Sequence, residues 1–231
     1  MNAWKYLFIV AAFVTWPSIA LAQPPAMHMG ADWRKMSVWD CNNKTAQAFQ
    51  DKEHVLRMER SGNQTWAYTA KTIALVSCVP LGNSLYILVA AASRDSVEAE
   101  RMRNEVRTHV FDAPAPTSRY PDHYDANSSA LGGGGYSPPL AMHWGSDSRP
   151  KSVYQCVASA RYAMSQLNLH ESVSGRVVWG TTNDVTAFVD CAPGGRGAHM
   201  HVVVASADSG LAEHYRNEIR RVTFDSVLID R

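Results

Sequence analysis

The chain has no surplus of either charge: 22 Lys and Arg stand against 21 Asp and Glu, a formal net charge of +1. A nucleic-acid binder neutralises phosphates with a basic excess, so that class is disfavoured. Beyond residue 22 there is no apolar run approaching the ~20 residues that span a bilayer, so no integral membrane segment is expected in the mature chain. Familiar catalytic signatures are missing too, with no Gly-x-Ser-x-Gly elbow and no His-Glu-x-x-His helix. The glycine run at 132–135 is not followed by Gly-Lys-Ser/Thr and no strand leads into it, so it is no phosphate loop. No cofactor is expected. Cysteine is scarce: there are four, and no Cys-x-x-Cys pair seeds a zinc site.

The first residues carry one basic group (Lys5), an apolar run from Tyr6 to Trp16, a Pro17 break and then Ala20-Leu21-Ala22. Charged, apolar and small-x-small segments in that order make a secretory signal peptide over 1–22, cleaved after Ala22. Gln23 follows the cut, so a lipoprotein cysteine is not in place. The mature protein is expected in the periplasm, or fully secreted.

The chain repeats itself. AMHMGADWR at 26–34 returns as AMHWGSDSR at 141–149; Cys41 returns as Cys156, Trp66 as Trp179, Cys78 as Cys191, and RNEVRTHVFD at 103–112 as RNEIRRVTFD at 216–225. Two copies of this length are too few and too long for a solenoid, so two similar globular units are expected, 23–112 and 141–231. Between them, residues 113–140 are rich in Pro, Ser, Asp and Gly without hydrophobic period, the composition of a flexible linker.

Each unit reads as α-β-β-β-α. Val153, Val157, Ala160, Met164 and Leu167 fall at helical spacing, as do Cys41, Thr45 and Phe49 in the first copy. Three strand segments follow in each copy, then a helix opened by Asp95 or Asp208, with Glu98 at capping-box spacing from Asp95. The fold class expected is α+β: a duplicated unit with an antiparallel sheet and helices on one face. One cysteine pair per unit in an exported chain is a disulfide framework, and the duplication favours Cys41–Cys78 and Cys156–Cys191. Alternation then puts Ala74, Val76 and Cys78 on the helix side, with Ala187, Val189 and Cys191 matching them. The other face has diverged: Tyr86 and Leu88 in one copy correspond to His199 and His201 in the other. Packing of the two open faces on each other is the simpler reading; a partner covering them is the alternative.

The recurring His28, Asp32 and Arg34, with His143, Asp147 and Arg149, form a candidate ligand site, with His and Asp as metal ligands or Asp and Arg as clamps for a polar group. The plainer reading is domain-opening punctuation, with glycine at an awkward backbone angle and Asp and Arg satisfying main-chain groups. His199 and His201 lie two apart on a strand, about 7 Å from each other on one side, and could share copper or zinc. The stripes Glu100, Arg103, Arg107 and Glu213, Arg216, Arg220 read as solvated, ion-paired helix faces. Trp66 and Trp179 read as core anchors. Function is then reached by elimination: an exported, non-enzymatic binding or interaction protein of the cell envelope, of inhibitor, immunity or accessory type. Its two similar surfaces would act bivalently on an envelope protein or a small ligand. A periplasmic metal-handling protein using His199 and His201, or an envelope enzyme with an inter-domain site, are the alternatives.

Overall fold

The computed structural model of the protein describes residues 24–52, 55–111, 140–195 and 197–225. The expected leader (1–22) and residues 113–139 of the expected linker lie outside them. Unit one runs β1 (Ala26–Arg34), α1 (Val38–Gln50), β2 (Arg57–Ser61), β3 (Gln64–Tyr68), β4 (Thr72–Leu81), β5 (Ser84–Ser93) and α2 (Ser96–Phe111). Unit two repeats it as β6 (Ala141–Arg149), α3 (Val153–Gln166), β7 (His170–Ser174), β8 (Val177–Thr181), β9 (Val185–Gly194), β10 (Gly197–Ser206) and α4 (Ser209–Asp225). Each forms a five-stranded antiparallel sheet, in the orders β1-β5-β4-β3-β2 and β6-β10-β9-β8-β7.

The fold is therefore the duplicated α+β plan with helices on one face of each sheet, and it carries two strands per unit beyond the α-β-β-β-α reading. One addition is short and polar: RMERS in β2 and HESVS in β7, end strands whose charged side chains blunt the sheet edge. The other is the recurring motif itself. AMHMGADWR is a nine-residue strand, and its copy is β6. The helix that follows each opens with a capping box, Ser37 with Asp40 and Ser152 with Gln155. At α2 the cap is Asp95, whose Oδ1 accepts from the Val97 N–H at 3.0 Å. Glu98 does not close the expected box; it pairs with Arg101 at 2.6 Å, and the Asp95 N–H donates to Ser93 Oγ instead.

The cysteines pair as Cys41–Cys78 and Cys156–Cys191, tying the first helix of each unit to the strand β4 or β9. With sequence separations of 37 and 35, each bridge stabilises by about 4 kcal/mol in the chain-entropy picture. Ala74, Val76 and Cys78 pack under α1 and α2 with Phe49, Met102 and Val106. Ala187, Val189 and Cys191 do the same under α3 and α4.

The opposite faces pack on each other. Leu75, Tyr86, Leu88 and Ala90 of unit one share one buried cluster with Trp179, Phe188, Val203 and Ala205 of unit two. Thr186 Oγ1 also donates to the Pro25 carbonyl across this seam, at 2.6 Å. The two units thus form one sandwich. The picture of two independent surfaces on a tether is corrected accordingly: neither open face is left to bind alone, because each is the other's cover.

Candidate functional site

Alternation along β1 sends Met27, Met29, Ala31 and Trp33 into the inter-sheet seam and leaves His28, Gly30, Asp32 and Arg34 under α2. There each conserved position of the duplication finds its partner. His28 Nε2 lies 3.0 Å from Ser96 Oγ, and His143 Nε2 lies 3.0 Å from Ser209 Oγ, fastening each edge strand to the first turn of its last helix. Burial lowers the His143 pKa, with Glu213 opposing and Arg216 assisting. At the other end of β1, Asp32 pairs with Arg34 at 2.9 Å, and the Arg34 guanidinium lies 5.2 Å from the Phe111 ring. In the copy Asp147 takes Arg149 at 3.3 Å and Arg220 at 3.7 Å. Four residues along a strand span about 13 Å, so His28 and Asp32 cannot share an ion. Among the described residues no group of three or more His, Cys, Asp or Glu is placed to hold a metal.

Gly30 is not there for its backbone angle; positive φ occurs instead at the hairpin tips Gly62, Gly82 and Gly175. A Cβ on Gly30 would stand 3.0 Å from Arg107 Cδ and 3.6 Å from Arg103 Cδ; one on Gly145 would stand 3.2 Å from Arg216 Cδ. The glycine makes room for two helix arginines to cross the strand. This overturns the solvated reading of the Glu100, Arg103, Arg107 stripe at Arg103, which is only 3% exposed. The solvent-side ion pairs of α2 belong to Arg101 with Glu98 and Glu105.

Those arginines reach a cleft of about 570 Å³ between the units, within the ~300–1,000 Å³ of small-ligand sites. One wall is β1 from Met29 to Trp33 with Arg103 and Arg107; the other is the β7–β8 hairpin, with Arg176, Val177 and Trp179. Trp179, expected as a core anchor, anchors the seam and one cleft wall together.

Arg176 is held from behind. Its Nε donates to Asp190 Oδ1 at 2.8 Å, its Nη2 to Tyr86 Oη at 3.2 Å, and its guanidinium lies 5.3 Å from the Tyr86 ring. Asp190 is fully buried and its Oδ2 meets no donor. Burial pushes its carboxyl up to about 8. The Arg176 ion pair pulls the other way, but the upward direction holds because one oxygen is left without any donor.

His199 and His201 do project to the same side, into the seam. His201 is stacked on Tyr86 with ring centres 5.0 Å apart, and His199 meets it edge-on at 4.5 Å. His199 Nδ1 is bonded to Ser148 Oγ, while neither ring nitrogen of His201 has a partner. Burial lowers both pKa values, that of His201 well below its ordinary value, with His199 and Arg176 adding to the effect. The two rings pack against each other and against Tyr86 in the seam.

The residues that sequence reasoning missed are Trp33, Arg103, Arg107, Arg176 and Asp190 as parts of one cleft. A signal for two of them was present. At the positions of Arg176 and Asp190, unit one has Asn63 and Ser77, so a cation and an anion occur together in one copy and in neither place in the other. Asn63 instead ties its turn directly to the Cys78 carbonyl at 3.1 Å.

No protein-family model matches the chain, and no curated protein matches it. Among solved structures, the di-domain ARO/CYC StfQ from the steffimycin biosynthetic pathway aligns over 84% of this chain and 92% of its own, at 11% identity and a TM-score of 0.24. The di-domain ARO/CYC BexL from the BE-7585A biosynthetic pathway aligns over 85% and 93%, at 6% identity and 0.22. The immunity protein TplEi of T6SS from Pseudomonas aeruginosa aligns over 88% and 91%, at 11% identity and 0.20. At such TM-scores, fold and function rest on the chain's own geometry.

Proposed function

We propose that this is an exported binding protein of the cell envelope that takes an anionic ligand with an apolar body in the cleft between its two units. The observation that carries the reading is the convergence of Arg103, Arg107 and Arg176 with Trp33 and Trp179 around one cavity of ligand size. Guanidinium groups recognise carboxylate and phosphate through charge-assisted, often bidentate, hydrogen bonds, and aromatic walls bind an apolar body. The two disulfides fit an oxidising compartment, and no described helix is long and apolar enough to cross a membrane. With the leader read from the sequence, that favours the periplasm or secretion, with an envelope protein or a small envelope ligand as partner. The role is a binding one, of inhibitor, immunity or accessory type. His28, Asp32 and Arg34 act by fixing β1, one wall of the cleft, and their copies His143, Asp147 and Arg149 fix the matching edge strand β6.

The enzyme alternative has one observation on its side, a carboxyl held up to about 8 beside the cleft. Asp190 has no exposed surface, however, and its Oδ1 is held by Arg176. It supports a binding group instead of delivering a proton to a ligand.

The test is native mass spectrometry of mature protein isolated gently from its own envelope, beside thermal shift against aromatic and aliphatic carboxylates and phosphates. A stoichiometric adduct, or a stabilising anion, that is lost in Arg107→Gln supports the reading. Bare protein with an unmoved melting temperature across the whole panel refutes it. The same spectrum reports a chain starting at Gln23 and lighter by four hydrogens if leader cleavage and both bridges are as proposed.

A further inference from the structure

The cleft does not lie over a face of the sheet; it runs beside a strand's edge. Among the described residues β1 ends its sheet and is hydrogen-bonded on one side to β5, from Ala26 opposite Ser93 to Arg34 opposite Leu85. Five successive residues of β1, Met29 to Trp33, line the cleft, so residues of both strand faces border it at once. Only the edge of a strand is flanked in that way. An edge presents alternating main-chain N–H and C=O groups ready for another strand. The far ends of the two sheets, β2 and β7, are five residues long and carry exposed charge. β1 has nine residues, with Gly30 and Ala31 at the middle of the lined stretch.

The two flanks of this edge differ in chemistry. On the helix side stand Arg103 and Arg107, which cross the strand at Gly30. On the seam side stand Met29, Trp33, Val177 and Trp179. Three arginines, Arg103, Arg107 and Arg176, line the cleft against two carboxylates, Asp32 and Asp190, so the charge of its lining leans positive. A chain laid along β1 would send alternate side chains to the basic flank and to the apolar flank.

We propose that the ligand is an extended peptide segment that adds as a sixth strand to the free edge of β1, with carboxylate side chains or its C-terminal carboxylate toward Arg103 and Arg107 and alternating apolar side chains toward Trp33 and Trp179. This rests on the cleft being the binding site and names the occupant. Main-chain pairing supplies affinity and the two flanks supply selectivity, the strand-addition mode of peptide recognition. Five paired residues extend about 17 Å.

The experiment selects a random octapeptide library, displayed with free C-termini, on the full mature protein. The leading sequence is then synthesised with single backbone N-methyl groups at each position in turn and titrated by calorimetry, with indole-3-acetate run in parallel as a small aromatic carboxylate. The expected result is a sequence alternating acidic and apolar residues, with N-methylation weakening binding at least about tenfold at every second position and silent between, as a paired edge requires. Arg107→Gln, which keeps the stem packing, is expected to weaken the peptide about tenfold. No selected binder, binders without the acidic–apolar alternation, or an N-methyl scan without period two overturns the proposal. If indole-3-acetate binds and is lost in Arg107→Gln while no peptide is selected, the cleft reading survives and strand addition does not. If neither probe binds, both fall.

Discussion

Replacing Arg176 by Asn, the residue unit one has at that place, isolates the buried ion pair. Asp190 is fully buried and the Arg176 side chain is 32% exposed, so the substitution strips the charge partner from an interior carboxyl. Breaking a buried pair from one side costs ~3–5 kcal/mol where the carboxyl is ionised, above about pH 8, and the partial exposure of Arg176 sets the expectation there at the low end, about 3 kcal/mol. With m of about 2 kcal/mol/M in urea, the unfolding midpoint falls by about 1.5 M. Asp190 has its folded pKa raised above the unfolded value, to about 8, so its contribution to stability is full below the unfolded value, near 4, and is lost as pH rises through about 8. Without Arg176 the carboxyl is lifted further and stays protonated to higher pH. The penalty for Arg176→Asn is therefore largest near pH 9 and shrinks toward pH 6. Adding Asp190→Ser, which recreates the Asn63 and Ser77 pair of unit one, removes the stranded carboxyl and restores stability to within about 1 kcal/mol of wild type at both pH values. The assay is urea unfolding followed by tryptophan fluorescence at pH 6 and pH 9 for wild type, single and double variants. Equal destabilisation of single and double variants, or a penalty that does not change with pH, would refute the assignment of Arg176 and Asp190 as a buried pair.

Two further expectations follow from close packing and from protonation. A Cβ on Gly197 would collide with the main chain at Arg149 and Pro150, which cannot step aside, whereas one on Gly30 meets the movable stem of Arg107. Gly197→Ala should cost about 2–3 kcal/mol in thermal or chemical melts, while Gly30→Ala should cost under about 1 kcal/mol and weaken ligand binding by displacing Arg107. His201 has its folded pKa depressed below the ordinary value by burial, so the stability it permits is present above about 6.5 and lost as pH falls toward the folded value. His201→Leu, the residue unit one carries at Leu88, should move the acid-unfolding midpoint to lower pH, and an unchanged or higher midpoint by circular dichroism would contradict that.

What was legible in the sequence was whatever alternation and duplication encode locally. Cys78 and Cys191 marked the helix side of each sheet, and the apolar Ile73, Leu75 and Leu88 marked a face in need of cover. Strand β1 was hidden because half of its alternation, His28, Gly30, Asp32 and Arg34, is polar or has no side chain, although it lies under a helix. Period-two hydrophobicity reports a strand only when one side is apolar and the other is wet. Arg103 was misread for the same reason in reverse. A helix charge at i,i+4 spacing is exposed by default, and what draws it inward is a glycine more than seventy residues away. The cleft could not be read at all, since its two walls come from different units and meet only because the sheets stack.

The face-to-face packing of two unequal copies has a consequence for symmetry. In a dimer of identical subunits with an isologous contact, every substitution is made twice, and a residue facing the axis must tolerate its own image. A single covalent chain is free of that rule. Tyr86 stacks on His201, which stands where an identical copy would offer Leu88. Arg176 and Asp190 can occur on one side of the sandwich while Asn63 and Ser77 keep the other side neutral. Fusion of the copies is therefore what permits one specialised cleft in place of two identical ones, and binding at the β1 edge should show a stoichiometry of one ligand per chain.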